Sequence, residues 1–169
     1  MRSFAISILL VFAFCSSALA AADLSGNWVI DLKASDSSDA MLKRLGVGWI
    51  QRILASSTKI EATYCISPGL LTIDTRGPAF SRTEQIRLDG QPDRKTEKLT
   101  GPYTIISKWN PTENKLVSTS TFETKDGRPG ELMVVRLLAD NGATLVLTQT
   151  LKVDGEQWVV RRIWRRIAA

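Results

Sequence analysis

The stretch ELMVVRLLADNGATLVLTQTLKVDGEQWVVRRIWRRI, residues 131–167, holds two turn signals, Asn141-Gly142 and Asp154-Gly155, whose spacing sets the register of three consecutive strands. Asn-Gly and Asp-Gly accept the positive φ angles that a two-residue hairpin turn requires. A turn at 141–142 pairs Asp140 with Ala143, and counting outward pairs Arg136 with Leu147. The turn at 154–155 pairs Val153 with Glu156 and so brings Arg162 to the same Leu147. Directly paired residues share a sheet face, so Arg136, Leu147 and Arg162 form one row. With strands about 4.8 Å apart, the two arginine Cα atoms lie roughly 10 Å from each other, and their long side chains can converge on a single carboxylate.

The same counting yields the rows Leu132, Leu151, Trp158; Val134, Gln149, Val160; and Leu138, Leu145, Trp164. Nine of the twelve residues in the four rows are apolar, and the polar three occupy the middle. The opposite face carries Thr144, Thr148, Thr150, Gln157 and Arg161 and is only slightly less apolar. A face of large apolar residues with a polar centre suits an interior that holds an amphipathic ligand, because a buried arginine without a partner is expensive. The thin margin between the faces leaves open that this face is solvated and the arginines are ordinary surface charges.

Upstream, residues 24–33 alternate around Gly26 and Trp28 and read as a first strand. Ser37 or Ser38 can cap a helix through Met41, Leu42 and Leu45 that Gly46 ends in the left-handed conformation. A second helix fits Trp49 to Ala55, with Trp49, Ile50, Ile53 and Leu54 as its apolar stripe. After Ser56 come short strands separated by Ser67-Pro68-Gly69, Arg76-Gly77-Pro78, Asp89-Gly90, Gly101-Pro102, residues 110–114, residues 126–130 and the two hairpin turns. That makes nine strands, ten with the first, at the spacing of an antiparallel barrel or sandwich.

The N-terminus reads as a secretory signal over residues 1–20: Arg2, an apolar run from Phe4 to Phe14 too short to span a bilayer, and Ala18-Leu19-Ala20 as a small-x-small cleavage site. The expected mature domain is 21–169, exported to an extracellular or periplasmic space. Cys65 is then its single cysteine, which excludes an intrachain disulfide and predicts a monomer with that thiol packed as a small apolar group on a strand. Without Arg2 the 22 basic residues become 21 against 17 acidic, a net of +4 that favours anionic partners and is compatible with transient contact with an anionic membrane surface. Nothing in the pattern points to nucleic acid.

The chain contains no histidine. This removes a haem-type axial ligand, the base of a serine or cysteine hydrolase and most transition-metal sites. No Gly-rich phosphate loop or paired-cysteine spacing is present, so neither cofactor nor metal is expected.

The order of elements and several strings together resemble the fatty-acid-binding protein family, the intracellular lipid-binding branch of the calycins. Gly26-Asn27-Trp28 is similar to that family's opening strand. Leu45-Gly46-Val47-Gly48 followed by Trp49 and Arg52 is similar to its inter-helix turn and second helix, and Ala79-Phe80 with Thr83-Glu84 to the start of its fourth strand. Arg136 matches its first carboxylate-binding arginine, and Arg162-Ile163-Trp164 its Arg-x-Tyr. Trp164 replaces the tyrosine, Ser38 stands where an aromatic is usual, and Ser81 where many members have a portal lysine. Trp28 resembles the calycin tryptophan that closes one barrel end, where Arg165 or Arg166 can cover it.

The resemblance implies a ten-stranded up-and-down β-barrel with a helix-turn-helix lid, binding a fatty acid or similar hydrophobic carboxylate without catalysis. Arg136 and Arg162 would hold the head group, with Gln149 and Trp164 in support. Leu132, Val134, Leu138, Leu145, Leu147 and Val160 would line the wall, and Met41, Leu42, Leu45, Trp49, Arg52 and Phe80 the portal. Two rival readings remain: an interaction module with a filled core and a basic binding surface, and a lipid-modifying enzyme whose acid–base work falls to carboxylates such as Glu84.

Overall fold

The computed structural model describes residues 23–168 except 79, 98–100 and 111. The signal read over 1–20, the mature start at Ala21 and the Ala79 of the resemblance lie outside the described residues. Among those described, ten antiparallel strands form one sheet. They are β1 (Gly26–Ile30), β2 (Glu61–Ser67), β3 (Leu70–Gly77), β4 (Phe80–Arg87), β5 (Asp93–Glu97), β6 (Gly101–Asn110), β7 (Lys115–Glu123), β8 (Pro129–Ala139), β9 (Thr144–Val153) and β10 (Glu156–Ile167). Each strand pairs with its sequence neighbour except that β4 and β5 are not joined by a ladder, and β1 also closes onto β10. The result is a meander rolled into a nearly closed barrel with one seam.

The expected register holds at every row. Arg136 and Arg162 both pair with Leu147, and the other three rows are those counted from the turns. Asp154 and Gly155 take φ of 55° and 77°, and Asn141 and Gly142 take 52° and 86°. Asp140 joins them at 51°, so the first turn uses one more left-handed residue than the Asn-Gly signal implies.

The first strand is shorter than the 24–33 pattern. The Asp31 carboxylate accepts from Ala34 N at 3.1 Å and folds the chain into a turn after Ile30. The chain then runs along β10, where Asp36 N donates to Arg161 O and Arg161 N to Asp36 Oδ2, each at 2.8 Å.

Helix α1 (Asp39–Arg44) ends at Gly46, φ 75°. Gly46 N donates to Lys43 O and Val47 N to Leu42 O, the paired bonds that close a helix through a left-handed glycine. Helix α2 (Trp49–Ser57) runs two residues past the expected end. Arg52 braces the pair, donating from Nε to Asp39 Oδ1 and from Nη1 to Val47 O, both at 2.8 Å.

The core has two parts. One gathers Trp28, Tyr64, Leu71, Ile73, Ile86, Leu116, Leu145, Leu147 and Trp164 at one barrel end. The other gathers Met41 of α1 with Leu151, Val153 and Val160 under the lid. Trp28 is fully buried, donates to Leu24 O at 3.1 Å and is covered by Arg166, whose guanidinium sits 4.3 Å from the ring centroid. Arg166 also donates to Gly142 O and Ser25 O at 2.8 Å each, so this seal binds the chain's first strand to a late turn.

One expectation needs correction. Cys65 is exposed rather than packed. Alternation along β2 turns Ala62 and Tyr64 inward and therefore Cys65 outward. The stripe Trp49, Ile50, Ile53 and Leu54 lies on α2 and is exposed, Trp49 by 64%. A lid needs only one plug, and Met41 of α1, 3% exposed, fills that role.

Candidate functional site

The row that carries the arginines extends across the barrel wall as Trp109, Leu116, Arg136, Leu147 and Arg162, all inward. Inward placement settles the question the two faces left open: Arg136 is 6% exposed and Arg162 8%. Neither forms an ion pair among the described residues. Arg136 Nη1 donates weakly to Ser118 Oγ at 3.4 Å, while Nε is buried with no partner. Ser118 Oγ is itself the acceptor for Ser107 Oγ at 2.8 Å. Arg162 Nη1 donates to Ser38 Oγ at 3.2 Å. Burial pushes the Arg162 pKa below the ordinary guanidinium value, and the Asp36 carboxylate partly opposes it.

The indole nitrogens of Trp164 and Trp109 are likewise buried without an acceptor. Three unanswered donors in one barrel interior are unusual, because a buried N–H that loses water without finding a partner costs about 1–3 kcal/mol. All of them ask for an acceptor, and two guanidinium groups add positive charge to the request.

A cavity of about 200 Å³ opens beside Arg136, which is below the roughly 300–1,000 Å³ of ordinary ligand pockets. Gln149, Val134, Leu132 and Leu45 line it. The remaining wall residues fall elsewhere. Leu145, Leu147 and Trp164, with Leu138 packed against them, belong to the cluster under Trp28. Val160 belongs to the cluster under Met41. Arg162 is not among the residues that line the cavity; it reaches Ser38 beside the lid, and β9 separates it from Arg136.

Of the portal residues, Met41 is buried, Leu42 half-buried, and Leu45 reaches the cavity. Trp49 is exposed and Arg52 braces the lid. Phe80 is 45% exposed and lays its ring over Gly77, where a Cβ would meet it at 2.5 Å.

The sequence did not single out Arg82, Glu97, Tyr103, Ser118 and Phe122, which line the cavity from β4 to β7 alongside Glu84. Their inward placement follows from strand alternation. Their convergence does not, because the connections around β5 are not two-residue hairpins and set no register by themselves. Among the described residues no cluster of three or more carboxylate or thiol groups could hold a metal ion.

Comparison with solved structures shows what this geometry is like. The REP1-NXSQ fatty acid transporter superposes with a TM-score of 0.68 at 21% identity, over 88% of this chain and 99% of that one. Caenorhabditis elegans lipid binding protein 8 does so with 0.66 at 15%, over 85% and 94%. A Schistosoma mansoni fatty acid binding protein in complex with arachidonic acid gives 0.65 at 16%, over 88% and 98%. The barrel has the fatty-acid-binding protein fold. No family model matches the chain, and no curated protein matches it in sequence. Within this fatty-acid-binding protein fold, the two inward arginines, the brace at Arg52 and the Trp28 seal are read directly from this chain's own contacts.

Proposed function

We propose that the protein is an exported carrier that binds a fatty acid or similar hydrophobic carboxylate inside its barrel without chemically altering it. One observation carries the reading: Arg136 is 6% exposed, has no ion pair among the described residues, and borders a cavity inside the barrel. An uncompensated buried cation is unfavourable in the empty protein and becomes favourable once a carboxylate arrives. Arg162 supplies the second arm by leaving Ser38 for the ligand, and the two arginines flank Leu147 in one row. The reading is supported by the names of structural neighbours that include a fatty acid transporter and a fatty acid binding protein.

The exposed apolar stripe of α2 supports transient contact with an anionic membrane surface. Trp49, Ile50, Ile53 and Leu54 face out, and Lys43 and Lys59 lie within a few residues of the helix in sequence, a composition that suits charged lipid.

Calorimetric titration of a fatty acid and its methyl ester into wild type, Arg136→Gln, Arg162→Gln and the double variant tests the carrier reading. Each charge-assisted bond contributes about 1.5–3 kcal/mol, so each single variant should weaken the acid by roughly ten- to hundredfold and the ester far less. Equal losses for acid and ester, or fully additive single-variant effects, would remove the shared-carboxylate model.

A further inference from the structure

The cavity beside Arg136 has a second polar end. Arg82 and Glu84 of β4, Glu97 of β5 and Tyr103 of β6 line it at the seam where β4 and β5 lack a ladder. Arg82 Nη2 lies 2.7 Å from Glu97 Oε1 and 3.9 Å from Glu84 Oε2, so one guanidinium bridges the seam and answers two carboxylates. Glu84 and Glu97, 25% and 31% exposed, share this guanidinium, which is 46% exposed; Lys95 lies beside the same residues and is paired with Asp93 at 3.4 Å, so three carboxylates stand against two cations. Burial, Glu84 and Glu97 all hold the proton on the Tyr103 phenol above its ordinary pKa, which leaves a neutral hydroxyl beside the carboxylates.

Arg136 is the independent sign that something binds here. It is more than nine-tenths buried, its Nε has no partner among the described residues, and it lines the same cavity. Along β6, Tyr103 is six residues from Trp109, which shares the Arg136 row. At about 3.4 Å per residue that separates the two polar ends by roughly 20 Å, less the inward reach of the side chains. A bare hydrocarbon tail laid against the seam would strip water from two carboxylates and return nothing.

We infer that the ligand is bifunctional: a carboxylate received by Arg136, joined through a medium-length aliphatic chain to a hydrogen-bond donor, a hydroxyl or an ammonium, received by Glu84, Glu97 and Tyr103. The inference rests on the carboxylate-carrier reading and names the ligand class within it. The small cavity volume agrees with a medium rather than a long chain.

The test is calorimetric titration of decanoate, its ω-hydroxy and ω-amino derivatives, and the matching dicarboxylate into the mature protein. The ω-hydroxy and ω-amino acids should bind at least about tenfold more tightly than decanoate, and the dicarboxylate more weakly than all three. Glu84→Gln should shrink the ω-amino over decanoate ratio by about tenfold and raise the dicarboxylate relative to decanoate. Decanoate binding as tightly as its ω-derivatives overturns the bifunctional ligand while leaving the carrier reading intact. Binding of none of the four overturns both, and because the wild-type series decides alone, a variant that fails to fold does not rescue the inference.

Discussion

Ser38, the residue at the start of α1, gives its hydroxyl to Arg162 of β10 rather than to its own helix: Arg162 Nη1 donates to Ser38 Oγ at 3.2 Å, and no side-chain bond caps the helix. The lid is thereby latched to the arginine that would otherwise await a ligand. A ligand carboxylate that draws Arg162 away also releases the latch.

Ser38→Ala should remove the one side-chain hydrogen-bond partner of Arg162 among the described residues and leave a buried cation unanswered, a loss of about 1–3 kcal/mol in urea denaturation. Ser38→Asp should do the reverse, stabilising the empty barrel through a charged partner and a better cap while weakening carboxylate binding by competition. If Ser38→Asp strengthened ligand binding, the latch would be disproved.

The lid's contribution to stability should sit in α1 and not in α2. Met41 is 3% exposed among Leu151, Val153 and Val160, so Met41→Ala should cost about 2–5 kcal/mol. Leu54 is 52% exposed, and Leu54→Ala should change stability by no more than about 0.5 kcal/mol. Chemical denaturation of the two variants distinguishes them. Replacing residues 37–55 by a glycine linker should accordingly keep the β signal in circular dichroism at reduced stability, since the backbone ladder does not pass through the lid.

Cys65, outward on β2, should react with a thiol reagent in the native protein nearly as fast as in denaturant. On non-reducing gels a fraction of the protein should run as a disulfide-linked dimer that vanishes with reductant. Protection of the thiol in the folded state would mean that another surface covers β2.

The two tyrosines of the chain are Tyr64 and Tyr103, so a Tyr64→Phe background leaves one phenol to follow by absorbance. Tyr103 should ionise above the ordinary value, and Glu84→Gln should bring it back towards that value. A folded pKa above the unfolded one means this group's stabilising contribution is complete below about pH 10 and is lost as pH rises through the folded pKa. Stability should therefore fall on the alkaline side more steeply in the parent than in Tyr103→Phe.

The strand order and the central register were legible in the sequence because both are local. Asn141-Gly142 and Asp154-Gly155 each dictate a turn of known length, and period-two alternation carries the pairing outward to Arg136, Leu147 and Arg162 without any distant information. Gly46 marked the end of α1 for the same reason. What alternation shows is which residues share a face; it does not show what stands opposite that face. Cys65 was misplaced because its apolar character was weighed above its position in the alternation of Ala62, Tyr64 and Ile66. The α2 stripe was legible as a stripe, but a hydrophobic helix face does not say what covers it.

The sequence alone therefore determined the elements, the turns and the row of arginines, all products of short-range backbone chemistry. Only the closed barrel decided that those arginines are buried, that Ser38 answers Arg162 across 124 residues, and that Arg82, Glu84, Glu97 and Tyr103 share a cavity with Arg136. Each of those facts depends on curvature, which brings β1 to β10 and β4 towards β5. Curvature is the sum of small twists over ten strands, and no single stretch of the chain specifies it.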